Sequence, residues 1–246
     1  MDISLYYQER GKGLPFILLH GNGGNGSYFN HQIEYFSDRF RMIAVDTRGH
    51  GKSPRGVAPF TIEQFAEDLN ELMVMMEISK AIILGFSDGA NIALKFALRH
   101  PDKVMALILN GGNLNTKGIK RTVQIPIELG YKLTKMFADK SESAKYNMEL
   151  LGLMANDPNI KLDELHAIQV QTLVIAGTKD MIKRTHTEEI AENIPNAKLS
   201  IIQGNHFIAS KKADRFNKEV ELFLEPISRV NSSLENLTNS CWREKG

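Results

Sequence analysis

The sequence predicts an α/β fold, in which a mostly parallel central sheet is covered by helices on both faces. Short apolar runs alternate along the chain with segments whose apolar residues recur at helical spacing. The runs are continuous and lack alternating polar residues, which indicates strands that are buried on both sides. Polar residues suited to catalysis follow several of the runs, at the edge where parallel sheets bind ligands.

The predicted strands are the continuous apolar runs, at residues 14–19, 40–45, 80–84, 104–109, 171–176 and 198–202. Helical spacing predicts helices at residues 62–76, 90–99, 187–193 and 214–224. Thr61 is the expected N-cap of the first helix, because its hydroxyl can accept a bond from a free backbone N–H. Pro101 is expected to stop the second helix.

Residues 113–166 interrupt the alternation with helix-prone sequence, which is too long for a structureless loop. We expect a small helical cap there, between the core segments 1–112 and 167–226. The polar tail 227–246 is compatible with either a peripheral helix or disorder. Twelve apolar residues of the cap could line a pocket, but we expect more of them to pack the cap onto the sheet: Ile125, Ile127, Leu129, Tyr131, Leu133, Met136, Phe137, Met148, Leu150, Leu151, Leu153 and Met154.

Composition argues against nucleic acid and membrane surfaces as partners, because 30 basic and 29 acidic residues leave a net charge of only +1. A small-molecule substrate is the expected partner, and either a monomer or a weak homodimer is compatible with the sequence. The single cysteine, Cys241, cannot form an internal disulfide, and no Cys/His cluster has zinc spacing. We see no signal peptide and no membrane-spanning run, so we expect a reduced cytoplasmic protein without a metal site.

Ser87 is the candidate nucleophile. Residues 85–89 read Gly-Phe-Ser-Asp-Gly, a G-x-S-x-G pattern that directly follows a predicted strand and opens a predicted helix. Such a sharp turn needs small neighbours, and it lifts the serine hydroxyl above the sheet, beside a helix N-terminus that favours negative charge. The pattern alone also fits a structural glycine turn. We therefore assign Ser87 as the candidate nucleophile from the position of the pattern between a predicted strand and a predicted helix.

His206 and Asp180 are the candidate base and acid. His206 follows the last predicted strand after a short loop, and Asp180 follows the preceding strand through the turn 177–179. An imidazole can accept the serine proton, and a carboxylate can orient the imidazole. The end of strand 104–109 offers no competing carboxylate. The order Ser, Asp, His along the chain is the one expected on an α/β-hydrolase sheet.

These motifs resemble those of the α/β-hydrolase superfamily over residues 3–226. His20-Gly21-Asn22 resembles the loop that helps to form the oxyanion hole, and this implies the backbone N–H groups of Asn22 and Asp88 as its donors. Residues 46–53, Asp-Thr-Arg-Gly-His-Gly-Lys-Ser, match the family's structural D-x-R-G-x-G-x-S turn. His50 and Ser53 within that turn are therefore not expected to be catalytic.

Ser-Asp-Gly at 87–89 resembles the esterases of the biphenyl-hydrolase-like and valacyclovir-hydrolase-like type, with Phe86 in place of their tryptophan and Ala90 in place of their last glycine. The resemblance implies a cofactor-free serine esterase that forms an acyl-enzyme on Ser87. Phe86 and Asp88 are candidate substrate contacts. Asp88 could pair with a substrate ammonium, although a role at the helix N-terminus is the favoured alternative.

Three other functions stay open on the same fold. Two of them, C–C bond hydrolysis of a diketone-like substrate and cofactor-free perhydrolysis, would use the same triad. The third is a ligand-binding receptor that turns over slowly.

Overall fold

The computed structural model describes residues 2–241 and their side chains through Ile227. Seven strands form one sheet: β1 (Tyr7–Arg10), β2 (Leu14–Leu19), β3 (Phe40–Val45), β4 (Ala81–Phe86), β5 (Val104–Asn110), β6 (Thr172–Lys179) and β7 (Ala197–Asn205). Their spatial order is β1-β3-β2-β4-β5-β6-β7. Only β1 runs antiparallel to its neighbour among these strands. The predicted fold class, a mostly parallel sheet flanked by helices, is confirmed.

Eight α-helices connect or follow the strands within the described residues: α1 (Asn30–Phe36), α2 (Ile62–Met75), α3 (Asp88–Arg99), α4 (Arg121–Lys135), α5 (Glu142–Asn156), α6 (Arg184–Asn193), α7 (Ile208–Lys211) and α8 (Ala213–Cys241). Thr61 caps α2 as predicted, because its side chain accepts from the backbone N–H of Gln64 at 3.1 Å. The main chain of α8 continues into the predicted tail as far as Cys241, while residues 242–246 lie outside the described chain. None of the helices in the described chain combines the length and hydropathy that crossing a bilayer requires.

The sheet is buried on both faces. Along β2, Ile17 and Leu19 belong to one apolar cluster, whereas Phe16 and Leu18 belong to a second cluster across the sheet. Successive side chains of a strand point to opposite faces, so a strand covered on both sides must be apolar at every position. This requirement explains the continuous apolar runs in the sequence.

The predicted elements differ from the observed ones mainly at their ends. The edge strand β1 was not predicted, because its residues Tyr-Gln-Glu-Arg are largely exposed and carry no apolar run. Strands β6 and β7 extend further than predicted, and their ladder continues to the pair Lys179↔Asn205. Asp180 and His206 therefore follow their strands directly, without the turn or loop that the sequence suggested.

The predicted cap segment 113–166 contains α4, α5 and short 3₁₀ turns. Helix α4 packs mainly against α5 through its half-buried face. The sequence favours packing on the sheet over pocket lining for these twelve apolar cap residues, but the structure buries few of them. Only Leu153 is fully buried, and five are exposed on or just after α4: Ile125, Leu129, Leu133, Met136 and Phe137.

Candidate active site

Ser87 lies on the sharp turn between β4 and α3, with φ +54° and ψ −119°. A positive φ is unfavourable for a residue with a side chain, so the surroundings must hold this conformation. The backbone N–H of Ser87 donates to the carbonyl of Asn110 at 2.8 Å, and its own carbonyl accepts from Ala90 at 2.8 Å. A Cβ on Gly89 would lie 1.9 Å from the carbonyl oxygen of Leu19, so the turn can form only with glycine at that position.

His206 and Asp180 are brought together as the sequence predicted. Nδ1 of His206 lies 2.7 Å from Oδ1 of Asp180, and both side chains are buried. Burial raises the pKa of Asp180, but hydrogen bonds from His206 and from the backbone of Ile182 and Gly177 outweigh it and hold the pKa below 3.8. The ionised carboxylate accepts from Nδ1–H, which leaves Nε2 as the proton acceptor of the ring.

Phe86 packs against the imidazole of His206, next to the turn at Ser87. Its ring centroid lies 4.9 Å from that of His206 and 4.3 Å from that of Tyr28, which stacks on it. Phe86 is only 4% exposed, so its packing supports the imidazole and leaves little surface for a substrate. Gly111 bounds the ring as well, because a Cβ there would lie 2.8 Å from Cε1 of His206.

Tyr28 and Gly111 were not singled out from the sequence. Gly111 follows β5 in the same way that the candidate acid and base follow β6 and β7, and it has a φ of +65°. Its position directly after a predicted strand was therefore the one feature of the sequence that could have marked Gly111 as part of the site. No motif marked Tyr28, whose role depends on a contact formed only in the folded chain.

His20 fixes the loop that carries Asn22. The ring accepts from the backbone N–H of Thr47 through Nε2 at 3.1 Å, so the proton resides on Nδ1, which donates to the carbonyl of Gly21 at 2.7 Å. Burial lowers the pKa of His20 to about 4, which keeps this ring neutral. The carbonyl and the N–H of one peptide unit point in opposite directions, so anchoring Gly21 O also orients the N–H of Asn22.

The same loop lies against the turn that carries Ser87. A Cβ on Gly21 would lie 3.0 Å from Cβ of Ser87, so the two backbones approach closely. The side chain of Asn22 lies beside the carboxylate of Asp88 and donates to the carbonyl of Leu150 in α5 at 2.8 Å. The adjacent Glu149 receives a bidentate bond from Arg55, with both distances at 2.7 Å. These contacts hold α5 over the loop.

Asp88 is a buried carboxylate with incomplete hydrogen bonding. Its Oδ1 accepts from the side chain of Asn91 at 3.2 Å, while Oδ2 is buried and has no partner in the structure. Burial raises the pKa of Asp88 to about 6, although the neighbouring amides of Asn22 and Asn91 oppose the shift. Asp88 is the first residue of α3, so it lies at the helix N-terminus as the favoured alternative expects, although its carboxylate accepts no backbone N–H of that helix.

The turn at 46–53 bonds within itself and to nearby loops. Asp46 accepts from the backbone N–H groups of Gly26 at 2.7 Å and Lys52 at 2.8 Å. The buried Arg48 binds Asp68 through two bonds of 2.7 Å and also binds Asp2. These contacts agree with the structural role expected of the motif.

Comparisons with known proteins identify the family. A profile of the alpha/beta hydrolase fold matches residues 15–140. The chain is 27% identical over 240 residues to a putative carbamate hydrolase, RutD, of a Caulobacter species, covering 85% of this chain and 89% of the relative. It is 28% identical over 247 residues to the human serine hydrolase BPHL, covering 91% and 84%. A solved enol-lactonase from Burkholderia xenovorans superposes with a TM-score of 0.76 at 26% identity, covering 90% of this chain and 96% of that one. The chain therefore belongs to the α/β-hydrolase fold family, resembles its BPHL-like members, and is a hydrolase.

Proposed function

We propose that the chain is a serine hydrolase that cleaves small carboxylic esters through an acyl-enzyme on Ser87. The observation that carries the proposal is the 2.7 Å hydrogen bond between Asp180 and His206, which orients the imidazole beside the strained turn of Ser87. The names of two relatives support ester chemistry. One is called a serine hydrolase, and the other acts on an enol-lactone, which is a cyclic ester.

In the first step, Nε2 of His206 takes the hydroxyl proton of Ser87 while Oγ attacks the ester carbonyl carbon. The carbonyl oxygen becomes an oxyanion, which the backbone N–H groups of Asn22 and Asp88 stabilise. Collapse of this intermediate breaks the ester C–O bond, and the imidazolium of His206 returns its proton to the departing alcohol. Asp180 stays ionised and stabilises the charged imidazole.

In the second step, His206 removes a proton from water, and the hydroxide attacks the acyl carbon on Ser87. The second tetrahedral intermediate collapses to the carboxylic acid, and Ser87 regains its proton from His206. The reaction consumes one water and needs no metal or organic cofactor.

A panel of p-nitrophenyl esters of increasing acyl length tests the proposal directly. Wild type should hydrolyse at least the short esters, and Ser87→Ala should reduce kcat by several orders of magnitude with an unchanged fold. Ser27→Ala is the matched control, because Ser27 is exposed and its hydroxyl donates to the side chain of Asn25 in the same loop. Diketone ring-cleavage products in the same panel test C–C hydrolysis. Turnover of these alone, or equal ester turnover by Ser87→Ala, would refute the esterase proposal.

Asp88 supports a preference for esters that carry an α-ammonium group. Its buried Oδ2 lacks a hydrogen-bond donor, and a substrate cation would supply one beside the scissile carbonyl. We expect wild type to favour an α-amino ester over its des-amino analogue by at least tenfold in kcat/KM. Asp88→Asn should remove this preference while retaining hydrolysis of the des-amino ester. An equal preference for the α-amino ester in wild type and Asp88→Asn would exclude the pairing of Asp88 with the substrate ammonium.

A further inference from the structure

A basic hollow lies at the edge of the sheet, outside the ends of β6 and β7. We call it the cationic groove, and its volume is about 760 Å³. It is lined by Thr178, Lys179, residues 201–205, Lys211, Lys212 and Arg215. This size is within the range of small-molecule sites, which is roughly 300–1,000 Å³.

Among the described residues, the lining carries four cationic side chains and no carboxylate. Lys179, Lys211 and Lys212 form no ion pair with any described residue, and Arg215 is the only one that does, with Glu219 at 2.6 Å. Nearby like charges repel one another and are stabilised by an anion placed between them. This local excess of positive charge contrasts with the net charge of the whole chain, which is only +1.

The uncharged polar groups of the groove are also arranged as donors. The oxygen of Thr178 accepts from the backbone N–H of Gly204 at 3.3 Å, so its hydroxyl proton is free to donate. The side-chain oxygen of Asn205 accepts from the backbone of Phe207 at 3.1 Å, which leaves the amide hydrogens available. An oxyanion with several acceptor oxygens would satisfy both groups.

Two of the exposed lysines lie close to residues at the end of β7 and just after it. Cγ of Lys212 lies 3.5 Å from the point that a Cβ on Gly204 would occupy, so its stem packs against β7 at a residue without a side chain. Nζ of Lys211 lies 5.7 Å from the ring centroid of Phe207. The contact of the Lys212 stem reduces the entropy that this side chain loses when its ammonium group binds a ligand.

We propose that the cationic groove binds a small ligand bearing a phosphate or diphosphate group. Three unpaired ammonium groups suit a multiply charged anion better than a single carboxylate, and phosphate oxygens match the donor set. The groove borders the candidate active site, because its lining residues Lys179 and Asn205 pair across β6 and β7 and directly precede Asp180 and His206. A second hollow, of about 300 Å³, contains all four of these residues.

Calorimetric titration with inorganic pyrophosphate at low ionic strength tests the proposal without relying on catalysis. Wild type should bind, and the affinity should fall as salt is added. The triple variant Lys179→Gln, Lys211→Gln, Lys212→Gln keeps a polar group on each side chain but removes three positive charges. It should bind pyrophosphate at least tenfold more weakly than wild type. No binding by wild type, or unchanged affinity in this variant, would overturn the proposal.

The matched control carries Lys132→Gln, Lys135→Gln and Lys140→Gln, which remove the same charge from exposed positions on and after α4. Its affinity should stay within about twofold of wild type, since these lysines do not line the groove. An equal loss in both triple variants would mean that pyrophosphate responds only to net charge. Tight binding of a single-stranded oligonucleotide without any binding of pyrophosphate would also contradict the small-ligand proposal.

A second measurement uses only the wild-type chain, so it does not depend on the folding of a variant. Limited acetylation of lysines, read by peptide mass spectrometry, should slow at Lys179, Lys211 and Lys212 when pyrophosphate is present. Acetylation of Lys132 and Lys135 should not change. Equal rates with and without pyrophosphate at the three groove lysines would refute the assignment of the site.

Discussion

Replacing Asp88 by asparagine tests whether the buried carboxylate destabilises the folded chain. Burial raises its pKa from 3.8 to about 6 against the opposing amides of Asn22 and Asn91, and Oδ2 lies within hydrogen-bond distance of no donor among the described residues. Asparagine has nearly the same shape and can still accept the bond from Asn91, but it carries no charge. The substitution therefore removes the cost of burying the charge without opening a cavity.

The size of the effect follows from the shift of about two pKa units, which corresponds to about 3 kcal/mol. Because the folded pKa of Asp88 is higher than the unfolded one, the folded state binds the proton more tightly between these two values. The free energy of unfolding of wild type therefore falls, relative to Asp88→Asn, as the pH rises from about 4 to about 6, and the loss is complete above that. About half of the 3 kcal/mol is lost between pH 5 and pH 8.

Urea unfolding of both proteins at several pH values from 5 to 8 measures this difference. We expect Asp88→Asn to gain stability relative to wild type as the pH rises, with a plateau at about pH 7 and above. Asp38→Asn, which alters an exposed carboxylate, serves as the control and should show a much smaller trend. A difference between Asp88→Asn and wild type that is constant over this range would refute the reasoning about burial.

Three further substitutions probe the site and its support. Gly111→Ala should reduce kcat strongly, because the new Cβ would lie 2.8 Å from Cε1 of His206; steady-state kinetics together with thermal melting would show whether activity falls further than stability. Asp180→Asn should lower kcat by up to about 10⁴-fold with little change in substrate binding, since the amide cannot orient the imidazole in the same tautomer; equal kcat in both proteins would contradict the role of the acid. Arg48→Met should lower the free energy of unfolding in urea by about 3–5 kcal/mol, because it leaves the buried Asp68 without its cation, and a loss under 1 kcal/mol would contradict this account.

The sequence was sufficient to predict six of the seven described strands and the close approach of Asp180 and His206. Strands buried on both faces require continuous apolar runs, and such runs are visible without a structure. The ends of β6 and β7 were harder to predict, because Lys179 and Asn205 are polar residues that join the ladder through backbone pairing alone. The unpredicted strand β1 has the same explanation, since its pairing with β3 requires no apolar side chains.

Contacts between segments that are distant along the chain could not be predicted from the sequence. The stacking of Tyr28 on Phe86 and the bond from Asn22 to the carbonyl of Leu150 join parts of the chain that no local pattern relates. The exposed apolar side of α4 was also missed, because periodicity shows that a helix has apolar positions but not which of them find a partner. The burial of Asp88 depends on how α3 packs beneath the loop at Asn22, so only the fold reveals its raised pKa.

Labelling with a fluorophosphonate probe tests the central claim most directly, because the probe reacts with an activated serine whatever the natural substrate is. Wild type should bind one probe, and peptide mass spectrometry should locate it on Ser87. Ser87→Ala should not be labelled, and His206→Ala should be labelled far more slowly. Failure of the folded wild type to react, or attachment of the probe at another serine, would contradict the assignment of Ser87 as the nucleophile.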